Sequence, residues 1–471
     1  MSVSTVPPER TAGGTHAVVI GGSMAGLLTA CVLSDHVERV TLVERDRLPD
    51  GAESRRGVPQ GRHAHGLLAR GERILSRLFP GLTPALHDAG ATLVDMGADM
   101  RWHHFGGYKV QFPSGIVGPV CSRPLLEAEV RRRVLALPNV SALQGHETVG
   151  LVANEDRTRV TGVRVRGPAG GRGERRLAAD LVVDATGRGS RAPAWLETLG
   201  YRAPAESEVK IGVGYTSRIY RRTPGDTIGA KMVFISPTPP SEKRIGVLFP
   251  IEGERWLLTL GGWLGDHPPA DEAGFLAFAR SLPAPDIGRI VARAEPLGDF
   301  AVHKLPSNLR RHYEQLDRVP EGYLVTGDAV CSFNPVYGQG MTVAALEAEA
   351  LDACLRERSR GPHAPDLPRR FFRRAARVVD VPWTLAVGED FRYPQVTGPK
   401  PPATDLMNWY IGHVHRATLR DPVVYRAFLE AMAMLRPPTI LFHPRIIARA
   451  LRAGVAHPSP PSRAWAPRRA A

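Results

Sequence analysis

Gly21-Gly22-Ser23-Met24-Ala25-Gly26 is the stretch whose residue types and spacing point most directly to chemistry. It follows a β-branched run from His16 to Ile20 and leads into an apolar helical pattern from Leu27 to Leu33. Strand, glycine turn and helix in that order make a phosphate site, because the N–H groups and dipole at a helix start attract negative charge. The turn departs from G-x-G-x-x-G only at its second position. Gly21 permits the tight turn, Gly22 and Ser23 are small enough for a pyrophosphate to approach, and Gly26 lets helix and strand pack closely. Val40 to Val43 reads as a second strand, ending in Glu44-Arg45-Asp46. Glu44 lies about twenty residues beyond Gly21, where such units keep the acid that binds a ribose hydroxyl. Arg45 beside it is expected to contact the cofactor as well. The acid favours a ribose with a free 2′-hydroxyl, as in FAD or NAD.

The elements that must position these residues follow from pattern. Arg62 to Phe79 and Pro124 to Leu137 read as amphipathic helices, and the short runs between Val140 and Val183 as a β-meander. Alternation from Val209 to Gly262 predicts four antiparallel strands: Val209 to Tyr220, Lys231 to Ser236, Arg244 to Phe249 and Trp256 to Gly261. A helix is expected over Asp271 to Ala292, a strand at Tyr323 to Val325, and a helix from Met341 to about Arg358. Beyond Pro368 the pattern is helical throughout, with breaks expected at Pro382, Pro422 and Pro437-Pro438. The apolar and arginine residues near the end are expected to pack on the body rather than lie on a membrane.

Two further segments end strands in small-residue turns: Asp184-Ala185-Thr186-Gly187-Arg188-Gly189-Ser190, and Thr326-Gly327-Asp328-Ala329, which continues through Asn334-Pro335-Val336-Tyr337-Gly338-Gln339-Gly340-Met341 into a helix. On these the chain, over about residues 16 to 358, resembles the flavoprotein monooxygenases of the para-hydroxybenzoate hydroxylase fold. The resemblance implies FAD, with Asp328 on its ribityl chain, Gly187 beside it, and Pro335, Gly338, Gly340 and Met341 along the flavin ring. Arg55-Arg56-Gly57-Val58 matches the family's mobile flavin loop, which would make Arg55 a phosphate-side contact and Val58 a neighbour of the ring. Arg123, opening a helix with Pro124, matches an FAD-contacting arginine. Thr186 stands where the hydroxylases have an aspartate that supports NADPH use. NAD(P)H is therefore expected as electron source through a separate flavin reductase. The Trp-x-Trp-x-Ile-Pro signature of flavin halogenases is absent.

Arg56-Gly-Val-Pro-Gln-Gly-Arg-His63-Ala-His65, with Leu78-Phe79-Pro80-Gly81-Leu82, narrows the resemblance to the flavin epoxidases of polyether ionophore biosynthesis, the monensin and lasalocid type. That implies epoxidation of a polyene polyketide, free or carrier-bound, by a flavin C4a-hydroperoxide, with no side chain as obligatory acid or base. Hydroxylation of an aromatic polyketide, and a flavin-binding redox protein without turnover, are the alternatives. Tyr215, Phe234 and Trp263, with Trp256, lie on or beside the antiparallel strands and are candidates to line a substrate pocket. His63 and His65, on a predicted helix at a spacing that turns them apart, are not expected to bind metal. Covalent flavin attachment at Cys331 is not expected.

The fold class that follows is α/β: a single Rossmann-type FAD-binding domain, an antiparallel-sheet substrate domain and a helical C-terminal region. The expected boundaries are 1–80 plus 117–195 plus 298–365 for the FAD domain, 81–116 plus 196–297 for the substrate domain, and 366–456 for the helices. A disordered tail is expected over 457–471. The 471 residues, 43% apolar and 23% charged, exclude a disordered or fibrous chain. No run approaches the ~18 apolar residues of a membrane span, and the polar start has no signal-peptide core, so a cytoplasmic protein is expected. The four cysteines form no Cys-x-x-Cys pair, which argues against zinc or a disulfide framework. The net charge of +14 is mostly arginine without long runs and reads as a generally basic surface; no motif supports nucleic-acid binding.

Overall fold

The computed structural model describes residues 14–167, 173–223, 229–358 and 366–454. The expected tail and the start of the chain lie outside them.

His16–Ile20 is central in a five-stranded parallel sheet, buried along its whole length, as its unbroken apolar run requires. Arg39–Glu44 and then Val140–Gln144 lie on one side of it, Leu181–Asp184 and then Tyr323–Val325 on the other. The helix Met24–Ser34 packs against Arg123–Leu135 and Gly340–Arg358. The expected meander is thus divided. Its first and last strands join the parallel sheet, and only Glu147–Ala153, Val160–Arg166 and Glu174–Ala178 form an antiparallel three-stranded sheet.

The four expected antiparallel strands are present and form the middle of an eight-stranded sheet. Its order is Cys331–Ser332, Ala301–Arg311, Glu206–Arg221, Arg255–Gly262, Arg244–Ile251, Met232–Ile235, Met100–His104, Gly107–Tyr108. One pair departs from the antiparallel reading: Met232–Ile235 runs parallel to Met100–His104. Alternation sorts the side chains. Val233, Ile235, Leu248, Leu258 and Leu260 form one core with the helices Glu272–Arg280 and Asp286–Val291. Met100, Trp102, Met232, Ile245, Val247 and Phe249 belong to the main core on the other face. Trp256 sits in the first of these cores, so it does not share the face of Tyr215.

Three helix expectations need correction. Arg62 to Phe79 is not one helix: a 3-10 turn at Pro59–Arg62 is followed by extended backbone, and the helix begins at Ala69–Leu78. His63 and His65 therefore stand on an extended segment. The single helix over Asp271 to Ala292 is split, because Pro283 and Pro285 interrupt it before Asp286. Pro382, by contrast, breaks nothing and lies inside the 24-residue helix Leu367–Asp390. Its flanks are fixed by the buried Val379, Trp383 and Val387, so tertiary packing overrides the local cost of proline. The other two proline signals do mark starts: Asp421 caps Pro422–Met432, and Pro438–Phe442 is a 3-10 turn. Leu441 and Ile446 are buried in a third core with Tyr410 and Val414, so the C-terminal segment packs on the helices Thr404–Ala417 and Pro422–Met432. No helix among the described residues is long and apolar enough to cross a membrane.

Candidate functional site

The glycine turn is dictated by sterics. Gly21 has a φ of +102°, and a Cβ there would lie 2.7 Å from the Ala185 carbonyl oxygen. A Cβ on Gly26 would lie 1.8 Å from the oxygen of Gly21. Ser23 precedes the helix Met24–Ser34 and makes no cap; its hydroxyl donates to Glu127 (3.1 Å) and accepts from Arg123 (3.0 Å). Arg123 reaches the turn because Ser122 caps its helix and Pro124 fixes the first turn.

Glu44 is buried and accepts from the Gly22 N–H (2.8 Å) and from Arg55 (2.9 Å). Arg55 also meets Asp46 (3.3 Å) and Glu127 (3.0 Å). Burial would raise the Glu127 carboxyl, but Arg123 and Arg55 hold it below the usual range. Arg55 Nη2 and Arg123 Nη1 remain buried without partners. Two unpaired guanidinium nitrogens beside a glycine turn suit a pyrophosphate. Arg45 projects to solvent, while Val58 is buried where the 3-10 turn begins.

Asp328 converges on the same turn. A Cβ on the neighbouring Gly327 would meet the Ala25 methyl at 2.7 Å, and one on Gly340 would lie 3.9 Å from Asp328 Oδ1. Gly187 faces the Asp328 Cβ at 4.0 Å by the same construction. Asp328 is exposed to solvent, yet surrounding protein pushes its carboxyl up to about 6 against the pull of Arg188 and Arg123. A group both accessible and desolvated stands at the bottom of a groove. Two buried acids shape that groove and carry no sequence signature. Asp184 accepts from the Thr186 N–H and hydroxyl and from Ser190. Glu347 accepts from the Thr326 hydroxyl (2.7 Å) and the Gly327 N–H (2.5 Å). Burial raises both, Glu347 to about 7.

The segment Asn334 to Met341 runs from this groove to a cavity of about 590 Å³. Pro335 and Gly340 are exposed, Gly338 takes the left-handed conformation at φ +65°, and Met341 is buried. Asp390, the last residue of the helix Leu367–Asp390, anchors the segment from below. It accepts from Trp263 (3.0 Å), Asn308 (2.8 Å), Asn334 (3.1 Å) and Tyr337 (3.2 Å), and Tyr215 donates to Asn334 at 2.5 Å. Burial pushes the Asp390 carboxyl up to about 6 despite these four donors.

Tyr215, Phe234 and Trp263 all line the cavity, on one side with Met100, Trp102 and Val247 of the sheet. Leu385, Ile411, Phe428, Met432 and Phe442 of the C-terminal region line it as well, a contribution not expected from the sequence. The polar exceptions include four histidines, His63, His65, His104 and His415, and the carboxylates Asp380 and Glu389. His63 is held by Ser217 (2.7 Å) and pushed down to about 3 by burial and by His303; His65 is pushed to about 4 by burial and Arg123. All four cysteines are free thiols, and burial raises that of Cys331 well above its usual value. No metal-binding cluster of three His, Cys, Asp or Glu side chains is present among the described residues.

The family FAD dependent oxidoreductase is matched by residues 17–209, which include the glycine turn and the Thr186-Gly187 segment. Protein Rv3254 of Mycobacterium tuberculosis is 36% identical over 448 residues, covering 93% of each chain. Among solved structures, a flavoprotein/dehydrogenase from Cytophaga hutchinsonii superposes with a TM-score of 0.66 at 14% identity, covering 94% of this chain and 98% of its own. The p-nitrophenol 4-monooxygenase PnpA from Pseudomonas putida gives 0.60 at 18%, covering 88% and 96%. At those identities the structures establish the shared fold, para-hydroxybenzoate hydroxylase-like, and the family rests on sequence. Through its nearly full-length match to Protein Rv3254 and the groove segments within residues 17–209, the chain belongs to the FAD-dependent oxidoreductases.

Proposed function

We propose that the protein is an FAD-dependent monooxygenase that epoxidises carbon–carbon double bonds of a polyene polyketide, as in polyether antibiotic biosynthesis. The cavity carries this reading. Its wall is mostly apolar and it begins at the Pro335–Gln339 segment, where the flavin ring is expected. An alkene needs only shape and exclusion of water.

In this reading Gly21, Gly22, Ser23 and Gly26 cradle the pyrophosphate, Arg55 and Arg123 neutralise it, and Glu44, with Arg45 at the rim, takes the adenosine ribose. Asp328 and Gly187 hold the ribityl chain. Val58, Pro335, Gly338, Gly340 and Met341 surround the ring, where the N-terminus of the helix Gly340–Arg358 favours negative charge. When bound and reduced, flavin supplies the activation of dioxygen. The chain positions the alkene with Tyr215, Phe234 and Trp263 and keeps water out. Electrons come from NAD(P)H through a separate reductase, since the Thr186 hydroxyl is already committed to Asp184 at 2.6 Å.

The test is incubation of purified protein, FAD, a reducing system and a polyene under isotopically heavy dioxygen. One heavy oxygen per epoxide is expected. A halogenated, ring-hydroxylated or unlabelled product overturns the reading.

A further inference from the structure

The eight-stranded sheet orders the cavity from end to end. Tyr215 pairs with Gly261, which pairs with Ile245. One residue beyond the pairs Ile235–Gly246 and Ile235–His103, the row continues through Ser236 to His104. Tyr215, Ile245, Ser236 and His104 all line the cavity. At ~4.8 Å per strand, four strand spacings put His104 roughly 19 Å along the sheet from Tyr215. Tyr215 marks the flavin-segment end through its bond to Asn334; His104 marks the other end.

The far end holds two histidines with ring nitrogens that lack partners. His104 is 9% exposed and His415 4% exposed, with ring centroids 4.4 Å apart. No hydrogen bond reaches either ring nitrogen of His104 among the described residues, and the buried Nδ1 of His415 is likewise unpartnered. The rings are fixed, since His104 stacks on Trp102 (5.8 Å, 5°) and His415 packs on Phe105 and Phe428. Unpartnered polar groups at the end of an apolar cavity are costly unless something meets them.

We infer that His104 and His415 form a second polar end of the substrate cavity, which receives a neutral hydroxyl or carbonyl oxygen at the far end of an elongated apolar substrate.

The neutral class follows from the surroundings. Burial holds both imidazoles well below their usual range, so both are neutral; His104 offers one N–H and one bare nitrogen, and His415, whose Nε2 faces Glu389, offers its Nδ1. Glu389 is paired with Arg392 at 2.6 Å and faces His415 Nε2 at 3.9 Å, and Lys109 donates to Thr418 at 2.6 Å over the Trp102 ring. No free cation is left among these neighbours to hold a carboxylate. The assignment of near and far ends rests on the proposed placement of flavin beside Pro335–Gly340.

The experiment uses FAD-loaded protein and two sesquiterpenoid probes of matching length, farnesol and farnesene, with farnesoic acid as the charged control. Binding is read by displacement of an anilinonaphthalene dye. Farnesol is expected to bind about five- to tenfold tighter than farnesene, the effect of one buried hydrogen bond. His104→Phe keeps the ring on Trp102 and should equalise the two without weakening farnesene. His415→Phe, made separately, should narrow the preference and serves if the first variant does not fold. Equal affinities in wild type, a preference that survives both variants, or tighter binding of farnesoic acid than of farnesol overturns the inference. Loss of oxidation with the binding preference intact counts against the proposed function alone.

Discussion

The groove around Gly21, Gly187 and Asp328 and the cavity between the eight-stranded sheet and the C-terminal helices lie side by side, yet they are built differently. In the groove the working groups are small residues, backbone N–H groups and charges, most of them delivered by turns at the ends of parallel strands. In the cavity they are aliphatic and aromatic side chains from five strands and several helices, far apart in the chain. A turn has strict steric needs that tolerate few residues, whereas an apolar wall needs only the right volume. The groove should therefore fail sharply under small substitutions and the cavity should shift gradually.

Gly26→Ala tests the sharp side and carries the largest expected effect. The added methyl has no room at 1.8 Å from a backbone oxygen. The variant should retain no flavin absorbance after desalting, and wild-type yellow colour in it would break the comparison. Asp390→Leu comes next, at the seam between the two regions. It strands four donors that now meet one carboxylate and should cost about 3 kcal/mol or more in denaturant unfolding. Asp390→Asn, which keeps acceptor capacity, should lose less.

Asp328→Ala should weaken FAD by about 1–3 kcal/mol, the penalty for a lost buried partner, read by flavin fluorescence quenching. Unchanged affinity would remove Asp328 from the cofactor site. On the gradual side, Phe234→Trp should leave FAD affinity within error and change which double bond of a polyene is oxidised, since about 1 Å of misplacement can alter rate a hundredfold. An unchanged product distribution would mean that Phe234 does not bound the substrate.

The same contrast explains what the sequence disclosed. The turn at Gly21 and the strand end at Glu44 were legible because local rules fix their types and spacing, whereas Arg123 and Asp328 stood out only through the family resemblance. The strand alternation that turns Tyr215 and Phe234 inward was legible too. Asp184, Glu127, Glu347 and Asp390 were not, because a buried acid on a helix or strand looks like a surface acid until its donors arrive from elsewhere. His104 and His415 meet across more than three hundred residues, and nothing local pairs them. Pro382 misled for a related reason: a local breaker was outweighed by packing on both flanks.

The smallest effect concerns pH, where the two regions pull in opposite directions. In and around the groove, desolvation by the surrounding protein raises acids: Asp328 to about 6 and Glu347 to about 7. Asp390, at the seam, behaves alike. Their folded forms bind protons more tightly than the unfolded chain, so the stability they contribute is present at low pH and lost as pH rises through those values. Around the cavity, burial depresses histidines: His63 to about 3, His65 and His415 to about 4, with His104, His103 and His303 also lowered. Their contribution is full above the unfolded value of about 6.5 and is lost as pH falls, because the unfolded chain takes up the proton first. Between about 6.5 and 5 the histidines outnumber the acids, so the flavin-free protein should lose stability on acidification. The double variant His104→Phe, His415→Phe removes two of the opposing groups and should flatten that fall. Melting temperatures across this range, wild type against variant, provide the measurement. An equally steep fall in both would place the acid sensitivity outside the far end of the cavity.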